Sequence, residues 1–420
     1  MGLEKSGWDI VWANQWEPNK QQQYAFDCYV KHFKNSVHSN EDIAKAKKQL
    51  KKGMFELLVG GFPCQDYSVA TTKAQGIHGK KGVLWWEIDH IINKCAPPYI
   101  LLENVDRLIR SPAKQRGRDF AIILSCLHKR GYYVEWRVIN AAEYGLPQKR
   151  RRTFIFATKN KDVLAKLKVN AKAPLDPIGK TGFFAKSFPV VFEQNGKGMN
   201  PLRWDKISMN LQEISDKYHF DFENSGFMFN GTIHTIRVYP DREGIKQRTL
   251  GDELQKDVPQ EFYIFEKDLH GKNSWVYCKG AKNEDRMTEQ GYKYRYSEGA
   301  IPFPDRLDVP SRTMLTGEGN KRPNRITHVI KDPQTGRCRI LTPVEAERLN
   351  GFPDGWTDTG MPLRWRYFCM GNALVVGLIE KIGKQLKSII NGVEVSKKNK
   401  PNIRADSVYI PEPREELICS

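Results

Sequence analysis

The chain has 420 residues, a length that predicts more than one lobe. Hydrophobic residues make up 40% and charged residues 28%, a composition typical of a folded protein. It contains no apolar run of about 18 residues, which argues against a membrane span, and residues 1–10 lack the apolar stretch of a signal peptide. The formal net charge of +18 favours a polyanionic partner such as nucleic acid.

The eight cysteines are scattered along the chain without a Cys-x-x-Cys pair. This spacing argues against a zinc site and against a disulfide framework, so we predict no metal. Reduced cysteines fit a cytoplasmic protein best.

The part of the chain up to residue 180 alternates between short apolar runs and amphipathic segments. Strands are predicted at 9–14, 55–61, 98–105, 133–140 and 152–158, and helices at 18–33, 83–92 and 120–132. This alternation predicts a doubly wound, Rossmann-like α/β lobe over residues 1–180. Ligands of such sheets bind beyond the carboxyl ends of the strands, and Cys64 and Glu103 both follow predicted strands.

The pattern changes after residue 180, where aromatic, basic and glycine residues mix without helical periodicity. Asn230-Gly231 lies between two β-rich runs, which predicts a type I′ hairpin. We therefore predict a smaller, mixed, β-rich lobe over residues 181–335.

Helical periodicity returns in a segment that we assign to residues 336–395. Thr342 and Glu345 have the spacing of a capping box, and a last helix is predicted over 373–390. Residues 396–420 form a lysine-rich polar tail.

Three short segments carry groups suited to catalysis. Cys64 follows two glycines and a proline at a strand end; most cysteines are simply buried, but this position suits a nucleophilic thiol whose pKa is lowered by nearby cations. Glu103 either caps the next helix or has a pKa raised by burial and donates a proton. The run at 148–152, QKRRR, is a solvated basic loop, a phosphate-binding patch or a catalytic segment. Because a strand follows at once, Gln148, Arg150 and Arg152 are expected to face one way, into a cleft.

The order of these motifs resembles that of the cytosine-5 DNA methyltransferases, above all the bacterial restriction-modification type. The resemblance is carried by five segments in sequence: GFPCQDYS (61–68), ENV (103–105), QKRRR (148–152), RILTPVEAERLNGFPDGW (339–356) and GNALV (371–375). It implies methyl transfer from S-adenosylmethionine to C5 of a cytosine flipped out of duplex DNA.

The resemblance also implies roles for individual residues. Cys64 adds to cytosine C6, Glu103 acts at N3, and Arg152, with Arg150 nearby, holds O2. Supporting roles in the same motifs fall to Pro63, Gln65, Asn104 and Gln148.

The cofactor contacts implied by the resemblance come from weaker motifs. Trp16 stacks on adenine, unless it is a core aromatic, and the remaining contacts are Asp42, Ile43, Leu84, Asn372 and Ala373. Gln15 stands where the family usually has an acid that holds the ribose, so one charge-assisted hydrogen bond is replaced by a neutral one.

The family opens with a strand and a Phe-x-Gly-x-Gly turn, for which we find no counterpart ahead of residues 2–10. The sequence leaves three explanations open: a shortened reading frame, a second chain that supplies the block, or an inactive remnant. We expect weak cofactor binding by these 420 residues alone.

Residues 181–335 occupy the position of the family's target recognition domain. Candidate base readers, with surface or phosphate contacts as the alternative, are Lys282, Arg286, Tyr294, Arg295 and Tyr296; Arg312 is a candidate brace for the DNA backbone. Three segments of this lobe, NSGFMFNGTIHT, YSEGAIPFPD and PSRTMLTGEGN, resemble those of enzymes that modify GGNCC or GGWCC sites.

Three hypotheses follow. The first is a bacterial or phage methyltransferase, a monomer on double-stranded DNA, that protects the DNA from a restriction endonuclease with which it is functionally paired. The second is a tRNA cytosine-5 methyltransferase, which the long recognition lobe disfavours. The third is a DNA-binding subunit that is truncated and non-catalytic or is complemented by a second chain.

Overall fold

The computed structural model describes residues 1–62, 83–169, 173–193, 196, 198–288 and 291–392. Pro63, Cys64, Gln65 and the predicted tail at 396–420 lie outside the described residues. Within the described ranges, no helix is both long and apolar enough to cross a membrane.

The helices follow the predicted order, with differences at their ends. They are α1 Gly2–Lys5, α2 Tyr24–His32, α3 Ile43–Ala46, α4 Val83–Cys95, α5 Arg118–Lys129, α6 Lys161–Leu167, α7 Leu211–Lys217, α8 Trp275–Lys279, α9 Pro343–Leu349, α10 Leu363–Asn372 and α11 Val376–Asn391. The helix predicted at 18–33 begins only at Tyr24, because Asn19 has a φ of 62° that no α-helix accommodates.

The strands form one large sheet and several pairs. They are β1 Trp12–Asn14, β2 Val37–Ser39, β3 Leu57–Gly61, β4 Tyr99–Val105, β5 Tyr133–Asn140, β6 Arg151–Thr158, β7 Val190–Val191, β8 Arg203–Lys206, β9 Ser225–Phe229, β10 Thr232–Ile236, β11 Tyr239–Pro240, β12 Lys282–Met287, β13 Lys293–Glu298, β14 Val329–Lys331 and β15 Cys338–Ile340. The seven-stranded sheet has the order β3-β4-β6-β5-β9-β10-β8.

This large sheet is mixed. β3 and β4 are parallel, whereas β4–β6, β5–β6, β5–β9, β9–β10 and β8–β10 are antiparallel. The predicted α/β lobe is confirmed, with a sheet that is only partly parallel. The short parallel pair β1–β2 forms a sheet of its own.

Alternation along the central strands separates two apolar layers. Ile100 and Leu102 of β4 pack in one core with residues of α4 and α5, while Tyr99 and Leu101 pack in a second core with residues of α11. Successive side chains of a strand point to opposite faces, so both faces of the sheet are covered by helices.

Two local predictions are confirmed by backbone geometry. Asn230 and Gly231, between β9 and β10, have φ values of 48° and 76°, as a type I′ turn requires. At the start of α9, the Thr342 hydroxyl accepts from the Glu345 N–H at 3.2 Å and the Glu345 carboxylate accepts from the Thr342 N–H at 2.8 Å.

The sheet continues past residue 181, where a lobe boundary is predicted. β9 pairs with β5 in the register Val134–Met228, and β10 and β8 extend the same sheet. The structure therefore joins the hairpin region to the first lobe, and the three two-stranded pairs β7–β11, β12–β13 and β14–β15 lie apart from it. The division of the chain into segments at residues 180, 335 and 395 stays a prediction.

Candidate active site

An ion pair lies at the carboxyl end of the central strands. β3 places Gly61 opposite Glu103 of β4, and β6 places Arg152 opposite Val105. Arg152 lies two residues before the partner of Glu103, so both side chains project from the same face, and the Arg152 Nε is 2.9 Å from the Glu103 carboxylate. The Arg152 and Glu103 side chains are 15% and 21% exposed, so the pair is accessible but largely desolvated.

Burial raises the pKa of Glu103 above its ordinary value, and the positive charges of Arg152 and Arg150 oppose this rise. The raised pKa agrees in direction with the expectation for a carboxyl group at a buried strand end. A carboxyl group with a raised pKa that is still partly open to solvent is suited to act as a proton donor.

The backbone beside this carboxylate is tightly constrained. A Cβ atom at Gly61 would lie 3.3 Å from the Glu103 Oε2, so glycine leaves room for the carboxylate. The Asn104 side chain is 2% exposed, and its amide donates to the Phe62 carbonyl at 2.7 Å while its oxygen accepts from the Val105 N–H at 2.9 Å. The last described residues of β3 are thereby tied to β4.

Replacing Asn104 with alanine is expected to lower the free energy of unfolding by about 1–3 kcal/mol, because two buried hydrogen bonds are lost. Urea denaturation of wild type and Asn104→Ala measures this difference. Asn200→Ala, which removes a half-buried bond to the Tyr239 hydroxyl, is the control and is expected to cost less than about 1 kcal/mol. Equal losses in the two variants would contradict a special role for the Asn104 contact.

Arg150 lies in a buried junction rather than on an open surface. It is 2% exposed and donates to the Met314 carbonyl at 3.1 Å and the Gly371 carbonyl at 2.9 Å. Burial, together with the positive charge of Arg152, lowers the pKa of Arg150 to about 9, while Glu103 opposes this change. The positive charge of Arg150 therefore acts on Glu103. Its two hydrogen bonds also tie the start of β6 to the segments that return from the second half of the chain.

Gln148 has a similar junction role. Its side chain is fully buried, donates to the Leu349 carbonyl at 3.3 Å and the Asn350 side chain at 3.2 Å, and accepts from the Met314 N–H at 3.1 Å. Of the three alternate side chains in QKRRR, the structure places Arg152 in contact with Glu103 and the other two in contacts with distant backbone.

Sequence reasoning missed the partners of this junction. Ser311 and Lys149 are bonded through their backbones at 2.9 Å, and the Thr313 hydroxyl donates to the Lys149 carbonyl at 2.5 Å. Asn350 also donates to the Met370 carbonyl at 3.2 Å. The local signal was Asn350, a polar residue directly after the end of α9.

Four of the residues predicted to hold a cofactor follow the carboxyl ends of β1 and β2, namely Gln15, Trp16, Asp42 and Ile43. The Asn14 amide donates to the carbonyls of Ser39 and Glu41 at 3.1 and 2.9 Å, which ties the loop with Gln15 and Trp16 to the loop with Asp42 and Ile43. The Asp42 carboxylate caps α3 by accepting from the Ala44 N–H at 2.9 Å, and Ile43 packs against the small core around Leu50.

Several of these side chains are open to solvent. Trp16 is 38% exposed and Leu84 is 37% exposed, unlike the large apolar side chains of the core, which argues against a core role for Trp16. Asn372 is exposed at the end of α10, and Ala373 is half-buried beside it. An exposed indole, an exposed aliphatic side chain and a carboxylate suit a ligand with an aromatic base and polar groups.

The predicted base readers share one hairpin. Lys282 and Arg286 lie on β12, and Tyr294, Arg295 and Tyr296 lie on β13. Arg312, the predicted DNA brace, makes a two-point ion pair with Asp305 at 2.6 and 3.1 Å and is near the carbonyls of residues 326 and 327. Its role as a brace stays a prediction.

Comparison with known proteins identifies the family. The family model described as C-5 cytosine-specific DNA methylase matches residues 1–388. The chain is 48% identical over 396 residues to Type II methyltransferase M.Sau3AI of Staphylococcus aureus, covering 93% of this chain and 92% of the relative. It is 33% identical over 375 residues to Type II methyltransferase M.NgoBV of Neisseria gonorrhoeae, covering 79% and 82%.

Among solved structures, the S. pombe Dnmt2 methyltransferase has a similar fold, with a TM-score of 0.55 and 16% identity over 93% of this chain and 96% of that one. The ordered motifs, the mixed sheet and the family match lead to one conclusion: the chain belongs to the C-5 cytosine-specific DNA methylase family.

Proposed function

We propose that this chain transfers a methyl group from S-adenosylmethionine to C5 of a flipped-out cytosine in duplex DNA, through a covalent bond between Cys64 and C6. The observation that carries the proposal is the Glu103–Arg152 ion pair. Glu103 lies opposite Gly61 in the sheet, and Gly61 precedes Cys64 by three residues in the sequence. A carboxyl group with a raised pKa and a guanidinium are the two groups that the chemistry of a cytosine ring requires at N3 and O2.

The reaction requires an attack that makes C5 nucleophilic. The Cys64 thiolate forms a bond to C6, and the displaced electron pair makes C5 enamine-like while negative charge develops towards N3 and O2. Glu103 donates its proton or a hydrogen bond at N3, and Arg152 stabilises O2. C5 would then accept the methyl group as the methyl–sulfur bond breaks, with its electron pair staying on the sulfur of the released S-adenosylhomocysteine. Loss of the C5 proton to a base and β-elimination would then expel the Cys64 thiolate and restore the aromatic ring.

The methyl donor belongs beside the carboxyl ends of β1 and β2. S-adenosylmethionine supplies an electrophilic sulfonium methyl group when bound. Trp16 offers a face for the adenine ring and Asp42 an acceptor for its amino group, while the Gln15 amide bonds to the ribose. Ile43 is proposed to pack on the adenine ring with Leu84 nearby, and Asn372 and Ala373 to contact the methionine part.

The similarity to two Type II methyltransferases supports a role in restriction-modification. In this role, the enzyme acts in the cytoplasm as a monomer on DNA and protects sites that a partner endonuclease would cut. The GGNCC or GGWCC target stays a prediction. A non-catalytic DNA-binding subunit is the alternative, and measured turnover by the isolated chain would exclude it.

Transfer of tritium from labelled S-adenosylmethionine to duplex DNA tests the proposal. Because weak cofactor binding is expected of these 420 residues, the assay uses S-adenosylmethionine at a concentration high enough to saturate a weak site, and wild type is then expected to label the DNA. Cys64→Ser is expected to label it at least about 10³-fold more slowly, because a serine hydroxyl is a far weaker nucleophile at neutral pH. Cys278→Ser, a change at a half-buried thiol in α8, is the matched control and should label at the wild-type rate. Equal labelling by wild type and Cys64→Ser would refute the mechanism.

A further inference from the structure

The hairpin of β12 and β13 is a two-stranded ribbon with two chemically different faces. Residues directly opposite each other in an antiparallel pair share a face, so the register assigns each side chain. The inner face consists of Lys282, Glu284, Arg286, Tyr294, Tyr296 and Glu298. The outer face consists of Asn283, Asp285, Met287, Lys293, Arg295 and Ser297.

Charges on the inner face are engaged within the protein. The Arg286 guanidinium lies 3.6 Å from the centre of the Tyr296 ring and 3.3 Å from the Glu284 carboxylate. Glu298 pairs with Arg325 at 2.8 Å. Glu298, together with Lys282, which lies over the Tyr277 ring at 4.8 Å, attaches this face to the lobe. All residues of the inner face except Tyr294 are half-buried.

Every residue of the outer face is exposed. Arg295 and Asn283 are linked on this face, where the Arg295 Nε donates to the Asn283 Oδ1 at 2.7 Å, and Asp285 is the cross-strand partner of Arg295. The bond uses the Nε, and within the described parts of the chain no residue bonds to the two terminal nitrogens of Arg295. The Arg295 guanidinium is thus held in place through its Nε, and its two terminal nitrogens bond to none of the described residues.

These groups match the base edges of the DNA major groove. The groove is wide enough for a two-stranded ribbon, and arginine pairs with guanine O6 and N7, asparagine with adenine N6 and N7, and aspartate with the cytosine amino group. Lys293, at the far end of the same face, is suited to a phosphate. The inner face offers no comparable set, because its guanidinium and carboxylates already face each other.

We propose that the outer face of this ribbon enters the major groove and reads the methylation site, with Arg295 and Asn283 as the specificity-determining pair. The proposal rests on the proposed function and deepens it, since it keeps Arg295 as a base reader and moves base reading away from Lys282, Arg286, Tyr294 and Tyr296. Arg286 and Tyr296 instead contact each other across the two strands of the ribbon.

Selection of bound duplexes from a random-sequence DNA library, followed by sequencing, tests the proposal without requiring turnover. Wild type is expected to enrich one motif. Arg295→Ala and Asn283→Ala are each expected to lose about ten- to hundredfold discrimination at one base-pair position of that motif. Glu284→Gln, an inner-face change, should enrich the wild-type motif, and Arg286→Ala should bind all sequences more weakly with the motif retained.

Unchanged motifs for both Arg295→Ala and Asn283→Ala, or a motif altered only by Arg286→Ala, would overturn the proposal, as would the absence of any enriched motif for wild type. Methyl transfer by wild type is measured separately. If the outer-face variants change the motif as expected but wild type transfers no methyl group, the result would count against the proposed function and not against the assignment of the outer face.

Discussion

Glu103→Gln is expected to lower kcat for methyl transfer by about 10²–10⁴-fold, with little change in KM for DNA. The amide keeps the size of the side chain and one donor but has no acidic proton to give as charge develops at N3. Burial raises the pKa of Glu103, so the acid form extends to higher pH than in an ordinary glutamate, and wild-type kcat should fall as pH rises through this pKa. In the variant, the decrease in kcat with rising pH that is due to ionisation of Glu103 should be absent.

Steady-state rates across pH, with Glu143→Gln as the control, measure this effect. Glu143 also pairs with an arginine, Arg242 at 3.4 Å, but this pair is more exposed, at 28% for Glu143 and 67% for Arg242, and Glu143 follows β5 rather than lying in β4. The control should keep the wild-type kcat and pH profile. A Glu103→Gln rate within about tenfold of wild type would remove Glu103 from the proposed proton transfer.

Arg339→Met is expected to lower the free energy of unfolding by about 3–5 kcal/mol, the largest stability effect that the structure predicts. Arg339 is fully buried and pairs with Asp332 at 2.6 Å and with both oxygens of Glu345 at 2.7 and 2.8 Å. Methionine fills a similar volume but leaves two buried carboxylates without their cation. Glu345 also completes the cap of α9, so the loss spreads to that helix.

Urea denaturation of Arg339→Met and Arg306→Met separates burial from charge pairing. Arg306 makes an ion pair with Asp308 in which the two side chains are 63% and 67% exposed. Its loss should cost less than about 1 kcal/mol, since solvent screens the pair. A similar small cost for Arg339→Met would show that the buried triad contributes little to stability.

Local patterns allowed correct predictions wherever the cause lies within a few residues. The type I′ turn at Asn230-Gly231 follows from two residues that tolerate positive φ, and the cap of α9 follows from Thr342 and Glu345 three residues apart. The helix at 18–33 failed in its first turns because periodicity does not register the positive φ of Asn19. The mixed sheet was not foreseen, because the pairing of β9 with β5 is set by tertiary contacts.

The candidate site was predictable in its residue types and not in its contacts. Motif order placed Glu103 and Arg152 near each other, and the structure joins them in an ion pair. The same pattern gave no indication that Arg150 would bond to Met314 and Gly371, because those carbonyls come from distant parts of the chain. Strand alternation gives the direction of a side chain but not what lies in front of it.

The central claim is a covalent bond between Cys64 and cytosine C6. Duplex DNA in which every cytosine is replaced by 5-fluorocytosine tests it most directly, because fluorine at C5 blocks the proton loss that frees the enzyme. After incubation with S-adenosylmethionine, mass spectrometry should find wild-type protein bound to DNA through a peptide that contains Cys64, and Cys64→Ser should form no adduct. A wild-type protein that binds and methylates ordinary DNA but forms no adduct, or forms one through another residue, would contradict the account.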